Sequence, residues 1–250
     1  FRLLRLNQRV SSESALISRT EWMQCQSKET LVPKEEIFLG LDLSAVNDLS
    51  SLVACSAKNN DRLKAWFWKP GDVVGEHEDR DRAPYRLWVK DGWIDAPSGK
   101  AIDYAFIAKR VAEIRGQYSI LGLAYDRWKI KDFIRELQAI GLDCYLDGDD
   151  KPRHGALRLV PWGQGYADMA PAVDAFETSV LNARLKHDGN PVLAMCVANA
   201  QVVMDASGNR KLDKSASRFR IDGAVATAMA IGLKSKQVVK TEAKFQAFFV

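Results

Sequence analysis

Three aspartates, Asp42, Asp126 and Asp222, stand where an apolar segment meets a polar one. Asp42 and Asp126 each close an apolar run, and Asp222 opens a run rich in small residues. The ends of strands and the starts of helices can converge on one rim of a sheet. Carboxylates brought together there raise one another's pKa unless a cation neutralises them, and oxygen ligands without His or Cys suit Mg²⁺ or Mn²⁺. The pattern therefore predicts a site for two divalent ions, of the kind that hydrolyses phosphodiester bonds.

Each aspartate also has a simpler structural interpretation. Asp42 can cap the bend that follows it, and Asp222 can be the N-cap of a helix. Asp126 can form a surface ion pair with Arg127 or Lys129, which would contribute little to stability. Taken singly, these interpretations are the stronger ones. The placement of all three aspartates at element boundaries is what favours the metal site.

Basic residues accumulate just before Asp222. The stretch 210–220 contains five Lys or Arg and one Asp. Lys214, Arg218 and Arg220 are predicted to contact a nucleic-acid backbone, and the alternative is an exposed basic hairpin. The overall charge of +4 is compatible with a polyanionic partner without requiring one.

Three other polar residues have weaker functional interpretations. Glu177 falls inside a predicted helix, where an exposed position is the default and a fourth metal-ligating carboxylate is the alternative. His187 either touches a phosphate or is a polar residue at a helix exit, and the second is favoured. Asp48 is predicted to form a turn.

The elements that must position these residues follow an α/β order. Three strands joined by tight connections come first, within 37–70, and predict an antiparallel meander. A charged and aromatic insertion, 71–100, follows, with a short helix predicted at 83–90; long excursions of this kind are more often functional than idle. Helices then alternate with strands, which predicts a mixed sheet with helices on both faces. The predicted later elements are helices at 102–118, 129–141, 169–185 and 221–233, strands at 119–126 and 157–165, and a hairpin at 201–214 with its tip at 207–209.

The composition limits the class of protein. The chain has 250 residues, of which 47% are hydrophobic and 27% charged, as in an ordinary globular domain. Its four cysteines are far apart and include no Cys-x-x-Cys pair, so neither a structural zinc site nor a disulfide framework is expected. With no apolar run near 18 residues and no signal peptide, no membrane association is expected and a cytoplasmic location is the default.

Four stretches resemble the nuclease domain of the large terminase subunit of tailed phages and prophages. They are "GLDLSAVNDLSSLV" (40–53), "LAYDRW" (123–128), "HDGNPVLAMCVANA" (187–200) and "DASGNRKLDKSASRFRIDGAVATAMA" (205–230). The resemblance implies a ribonuclease H-like α/β fold, with a mixed sheet flanked by helices on both faces. It also implies a metal-dependent endonuclease that cuts concatemeric double-stranded DNA during genome packaging in the cytoplasm of an infected or lysogenic bacterium. Its acidic positions match Asp42, Asp126 and Asp222.

The resemblance also implies a division of the chain and a set of partners. Residues 1–33 look like the tether that joins such nucleases to an N-terminal ATPase, and residues 34–250 look like the nuclease domain. The chain has no G-x-x-x-x-G-K-[ST] phosphate loop, so it is not itself the motor. The small subunit and the portal are the implied partners of the full-length protein. Some members of the family carry a further His or Asp ligand three residues before the last acid, where this chain has Phe219.

The predicted function is therefore a Mg²⁺- or Mn²⁺-dependent endodeoxyribonuclease in which Asp42 bridges two metal ions and Asp126 and Asp222 each hold one. Two alternatives stay open. One is a non-catalytic or motor-dependent DNA-binding and assembly module of the same fold. The other is a related resolvase or ribonuclease of the ribonuclease H-like class.

Overall fold

The first three strands form the predicted antiparallel meander. The computed structural model describes residues 15–44, 48–126, 130–148, 150–214, 217 and 219–245. β1 (Glu36–Asp42), β2 (Ser50–Ser56) and β3 (Asp61–Trp68) pair in order, with Asp42 opposite Ser51 and Ser50 opposite Trp68. Every residue of β2 is buried, as expected for a strand covered on both faces.

Parallel strands extend the meander on one side. β4 (Ser119–Asp126) lies parallel to β1, and β6 (Leu157–Trp162) lies parallel to β4. The short strands β5 (Cys144–Leu146) and β7 (Leu185–Lys186) complete the two edges. Among the described residues the main sheet has seven strands in the order β5-β6-β4-β1-β2-β3-β7, which confirms the predicted mixed sheet.

Helices cover both faces of this sheet. The predicted helices are present, and the helix predicted over 102–118 begins after Asp103, whose carboxylate accepts a hydrogen bond from the Ala105 amide at 2.9 Å. A two-stranded hairpin of β8 (Val202–Met204) and β9 (Arg210–Leu212) lies outside the main sheet. The helices are α1 (Arg19–Gln24), α2 (Val74–Asp81), α3 (Tyr85–Lys90), α4 (Tyr104–Gln117), α5 (Ile130–Ala139), α6 (Tyr166–Leu181), α7 (Pro191–Asn199) and α8 (Asp222–Phe245), with a 3₁₀ turn at Gly71–Val73.

Some elements differ from the sequence-based prediction. The insertion holds two helices, α2 and α3, where one at 83–90 was expected. The last helix extends well beyond 233, because charged and polar residues that the apolar pattern did not include continue it to Phe245. The strands β5 and β7 were not predicted, since segments of three and two residues carry no periodicity.

The sheet separates two hydrophobic cores. Residues of α6, α7, α8 and the insertion pack on one face, and residues of α4 and α5 pack on the other. Side chains of β1 alternate accordingly: Phe38 faces the α8 side, whereas Leu39 and Leu41 face the α4 side. Gly40 and Asp42 share the parity of Phe38, so strand geometry places Asp42 on the α8 side.

Residues 15–33 of the predicted tether pack against the domain. The Leu16 amide donates to the Ala200 carbonyl at 3.0 Å. The Trp22 ring is buried and stacks on the His187 imidazole with 4.1 Å between ring centroids. The domain boundary at residue 33 stays a prediction, and residues 1–14 lie outside the described part. No helix within the described residues has the length and apolarity needed to cross a membrane.

Candidate metal centre

Two of the predicted aspartates end neighbouring parallel strands. Asp42 is the last residue of β1 and Asp126 the last residue of β4. The register pairs Leu41 with Tyr125, so the two aspartates lie at the same level of the sheet. Because Ala124 faces the α8 side, strand alternation places Asp126 on that side, as it does Asp42. The strand ends thus bring two carboxylates to one rim and one face.

The third aspartate reaches this rim because α8 lies directly on β1. A Cβ atom at Gly40 would come within 2.0 Å of the Ala226 carbonyl oxygen and 2.9 Å of the Ala230 amide nitrogen. Only glycine permits that approach of helix backbone to strand backbone. Asp222 is the first residue of α8, so the close packing sets it beside the end of β1.

Ser51 fixes the start of α8 to the rim. It lies opposite Asp42 in the β1–β2 ladder. Its hydroxyl donates a hydrogen bond of 2.8 Å to the backbone carbonyl oxygen of Asp222. Since Ser51 is fully buried, this bond is protected from water and holds the helix terminus in register with the strand.

A lysine ammonium lies between two of the three carboxylates. Lys214 Nζ is 2.8 Å from Asp42 Oδ2 and 2.8 Å from Asp222 Oδ1. The two aspartates are 4% and 1% exposed. Burial alone would lower the pKa of the Lys214 amine, but the attraction of Asp42 and Asp222 outweighs it and the pKa is raised. Lys214 is therefore a cation at the centre of the predicted site.

Burial raises the pKa of Asp42 to about 6. Lys214 opposes this shift, and the negative charges of Asp222 and Asp126 add to it. Asp126 is thus close enough for its charge to act on Asp42. The group has the electrostatic character of a cation site, in which acids repel one another until a positive charge arrives.

The donor set suits a hard divalent cation. Asp222 Oδ2 is buried and has no hydrogen-bond partner among the described residues, so it is free to accept a cation. The Lys214 ammonium is the cation that lies between Asp42 and Asp222 in this structure. Within the described residues, however, no three His, Cys, Asp or Glu side chains lie close enough to hold an ion together as they stand. The oxygen donors thus have the chemistry that Mg²⁺ or Mn²⁺ prefers, although the described arrangement does not gather three of them around one point.

The predicted DNA-contacting residues lie in different environments. The Lys214 ammonium lies between the carboxylates of Asp42 and Asp222. Arg220 forms ion pairs with Asp48 and Asp81, the latter at 3.0 Å, and its side chain is 22% exposed. Arg218 lies outside the described residues, as do Arg127 and Lys129, the proposed partners of Asp126. The role of the three basic residues in DNA binding stays a prediction.

The insertion supplies a polar cluster that the sequence did not predict. The Asp81 carboxylate accepts hydrogen bonds from the Tyr85 hydroxyl and from Arg220, both at 3.0 Å. Lys69 is fully buried, with its ammonium 4.5 Å from the centroid of the Tyr85 ring. Burial lowers the pKa of Lys69 to about 8, although the negative charges of Asp81 and Asp222 act against this shift. The insertion therefore braces the segment that leads into Asp222.

One sequence signal could have indicated Lys69. Leu63, Ala65 and Phe67 alternate along β3 and face the α8 side, so Lys69 continues that row at the rim. The role of Asp81 had no comparable signal, because no motif marks the insertion.

Glu177 and His187 have structural partners. Glu177 binds Arg210 of the hairpin at 2.6 Å. His187 is buried, with Nε2 2.9 Å from the Trp22 carbonyl oxygen, while its Nδ1 accepts from the Gly189 amide at 3.1 Å. This pattern assigns the Nε2-protonated tautomer, in agreement with a pKa that burial lowers.

Comparison with known proteins identifies the family. The sequence model of the family described as "Terminase large subunit, endonuclease domain" matches residues 1–237 of this chain. The chain belongs to this family. The terminase large subunit of Enterobacteria phage HK97 is 42% identical over 250 residues, which are 99% of this chain and 47% of that protein. Protein YmfN of Escherichia coli K12 is 27% identical over 93% of this chain and 51% of its own length. The chain thus spans about half the length of these two relatives.

Solved structures agree with this assignment. The crystal structure of the HK97 large terminase matches with a TM-score of 0.78 at 42% identity, over 93% of this chain and 46% of that one. The large terminase nuclease of thermophilic phage G20c matches with a TM-score of 0.52 at 11% identity, over 87% of this chain and 97% of that one, which supports the fold alone. Structures of that nuclease contain bound magnesium or cobalt. The ribonuclease H-like fold and the terminase nuclease family are thereby confirmed.

Proposed function

We propose that this domain is a divalent-metal-dependent endonuclease that cuts concatemeric double-stranded DNA. The observation that carries the proposal is the convergence of Asp42 and Asp222 on the Lys214 ammonium, with Asp126 close enough to act on Asp42, at the rim of a ribonuclease H-like sheet. Membership of the terminase nuclease family supports it. The metal bound by the G20c nuclease supports the choice of a divalent cation.

The three aspartates have distinct proposed roles. Asp42 would be the ligand shared by two Mg²⁺ or Mn²⁺ ions, and Asp126 and Asp222 would each hold one of them. Bound at this site, the ions would supply the activation of the attacking water and the stabilisation of the leaving oxygen. The protein contributes fixed carboxylates: β1 and β4 set two of them, and the contacts of Ser51 and Gly40 set the third.

Basic residues of the same segment are the proposed DNA contacts. Lys214, Arg218 and Arg220 precede Asp222, so they lie in the chain segment that leads into the metal site. Phosphate contacts of this kind position a duplex without reading its sequence. In the full-length protein we infer an N-terminal ATPase, the small subunit and the portal as partners, and action in the cytoplasm of the bacterial host.

A second function has its own supporting observation. Within the described residues no three acidic or imidazole side chains are arranged to hold an ion, and Lys214 neutralises two of the aspartates. A domain locked in that arrangement would bind DNA without cutting it, or would cut only with its motor. Salt-sensitive DNA binding with no cleavage under any divalent ion would favour this alternative.

Plasmid cleavage in Mn²⁺ tests the proposal. We expect the wild-type domain to nick and linearise supercoiled DNA, and Asp42→Asn to reduce the rate at least about a hundredfold, because even residues that only orient a metal ligand typically contribute 10- to 100-fold. Asp79→Asn is the matched control, since Asp79 is an exposed residue of α2. Undiminished cleavage by Asp42→Asn would remove the assignment. Parallel assays with branched DNA and an RNA–DNA hybrid would detect a resolvase or a ribonuclease.

A further inference from the structure

The Lys214 ammonium takes the place that a first metal ion would need. It contacts one oxygen of Asp42 and one of Asp222, each at 2.8 Å, and both carboxylates are almost fully buried. A metal ion bound by the same two oxygens would carry the same sign of charge as the ammonium. They cannot share so small a space, because two cations a few ångströms apart repel strongly in a buried site.

The Lys214 side chain has a route out. Its side chain is 46% exposed although its ammonium lies between buried carboxylates. A cavity of about 110 Å³ opens beside it, lined by Asp48, Phe219, Arg220 and Asp222 among others. That volume is several times the roughly 30 Å³ occupied by one water in the liquid, so it offers room for a cation with part of its hydration shell.

The Lys214 backbone need not move for the ammonium to leave. Lys214 lies two residues after the end of β9, and the intervening Asp213 amide donates to the Gln201 carbonyl at 3.1 Å. The Ser217 hydroxyl donates to the Asp213 carbonyl at 2.7 Å, which gives Asp213 a second backbone tie. A lysine stem has four rotatable bonds, so rotation of the side chain alone can withdraw the charge.

We propose that Lys214 is a built-in counter-ion of the metal-free site, which holds Asp42 and Asp222 together and is displaced by the first divalent ion. This inference rests on the proposed metal-dependent function. Once displaced, the ammonium moves away from the two carboxylates, and it belongs to the segment proposed to contact DNA. Metal binding and the release of a basic side chain toward the substrate are then one event, and Lys214 is a positioning residue rather than a metal ligand.

The consequence for affinity can be stated as a ratio. If the ammonium occupies the carboxylates in 90% or more of the metal-free molecules, the apparent metal affinity is lowered at least about tenfold, because only the remaining fraction is ready to bind. Removing the ammonium should remove this cost. The same change should destabilise the metal-free protein, because it leaves two buried carboxylates without a counter-charge.

Binding of Mn²⁺, followed by the EPR signal of free Mn²⁺ at pH 7.5, tests the inference. The variants are Lys214→Met and Lys211→Met; Lys211 lies three residues earlier and its ammonium is 5.2 Å from the Tyr166 ring centroid, so it controls for the loss of one nearby charge. We expect Lys214→Met to bind Mn²⁺ at least about tenfold more tightly than wild type, and Lys211→Met to stay within about twofold. Melting temperatures in EDTA should fall for Lys214→Met and recover in Mn²⁺.

The outcomes separate this inference from the proposed function. Equal or weaker Mn²⁺ binding by Lys214→Met, with binding lost in Asp42→Asn, would overturn the inference and leave the metal site intact. Binding that is absent in wild type, or unchanged in Asp42→Asn, would overturn the metal site and the inference together. If Lys214→Met does not fold, Lys214→Gln serves in its place, because it also removes the positive charge but keeps a polar side chain, and tightening in the same direction is expected.

Discussion

The hydroxyl of Ser51 donates a hydrogen bond of 2.8 Å to the backbone carbonyl oxygen of Asp222, 171 residues away in the chain. Ser51 also lies opposite Asp42 in the β1–β2 ladder. One buried side chain therefore connects the strand that carries the first aspartate with the helix that begins at the third. The spacing of the two carboxylates depends on this contact and on the packing of α8 against β1.

Ser51→Ala should lower Mn²⁺ affinity and cleavage severalfold, because it removes the contact that fixes Asp222 at the rim. Loss of one buried hydrogen bond should also cost about 1 kcal/mol of unfolding free energy. Ser56→Ala is the matched control: Ser56 is buried in the same strand, and its hydroxyl donates to Glu35 at the opposite end. We expect that variant to lose stability while keeping its Mn²⁺ affinity. Equal effects of the two changes on Mn²⁺ binding would contradict a positioning role for Ser51.

Gly40→Ala should destabilise the domain by several kcal/mol, because the added methyl group would overlap the backbone of α8. Overpacking of a rigid core typically costs about 1–3 kcal/mol, and here the neighbour is backbone that cannot rotate away. Gly116→Ala in α4 provides the contrast, since a Cβ there meets nothing within 4 Å and alanine favours a helix by up to about 1 kcal/mol. Urea denaturation measures both. A Gly40→Ala variant as stable as wild type would show that α8 does not lie as close to β1 as described.

The stability of the metal-free domain should depend on pH through Asp42. Burial raises the pKa of this carboxyl to about 6, so between about pH 4 and pH 6 the folded chain keeps a proton that the unfolded chain has released. The stability that this carboxyl contributes is therefore greatest below pH 4 and is lost as the pH rises to 6. Asp42→Asn removes this titration. The difference in unfolding free energy between the variant and wild type should therefore shift in favour of the variant by up to about 3 kcal/mol between about pH 4 and pH 6, and stay constant above pH 6.

Urea denaturation in EDTA at several pH values measures this gain. Asp79→Asn, at an exposed position, should keep a constant difference from wild type throughout. A constant difference for Asp42→Asn as well would show that Asp42 titrates in the folded chain as it does in the unfolded one.

Local patterns allowed much of the fold and the positions of the three aspartates to be predicted. Asp42 and Asp126 end continuous apolar runs, and such runs are buried strands whose ends meet at a common edge. Asp222 opens a run of small residues, and that composition is what lets a helix lie against a strand at Gly40. Each of these features is local, so a single sequence displays it.

Contacts between distant segments could not be predicted in the same way. Lys214 stands in a basic stretch that indicates an exposed surface, yet its ammonium lies between two buried carboxylates. Arg220 has the same sequence context, and the insertion engages it through Asp81. Opposite charges attract whatever their separation along the chain, so a basic side chain next to an acidic centre turns inward instead of toward solvent. The pairing depends on the fold, and no local pattern records it.

Anomalous diffraction from a crystal soaked in Mn²⁺ would locate ions bound at the rim independently of any cleavage assay. We predict Mn²⁺ density among Asp42, Asp126 and Asp222, with the Lys214 ammonium withdrawn from the two carboxylates that it contacts without metal. A crystal of Asp222→Asn treated in the same way should show weaker density or none at this rim. Three aspartates that stay apart at saturating Mn²⁺, with no anomalous density between them, would rule out a metal site at this rim.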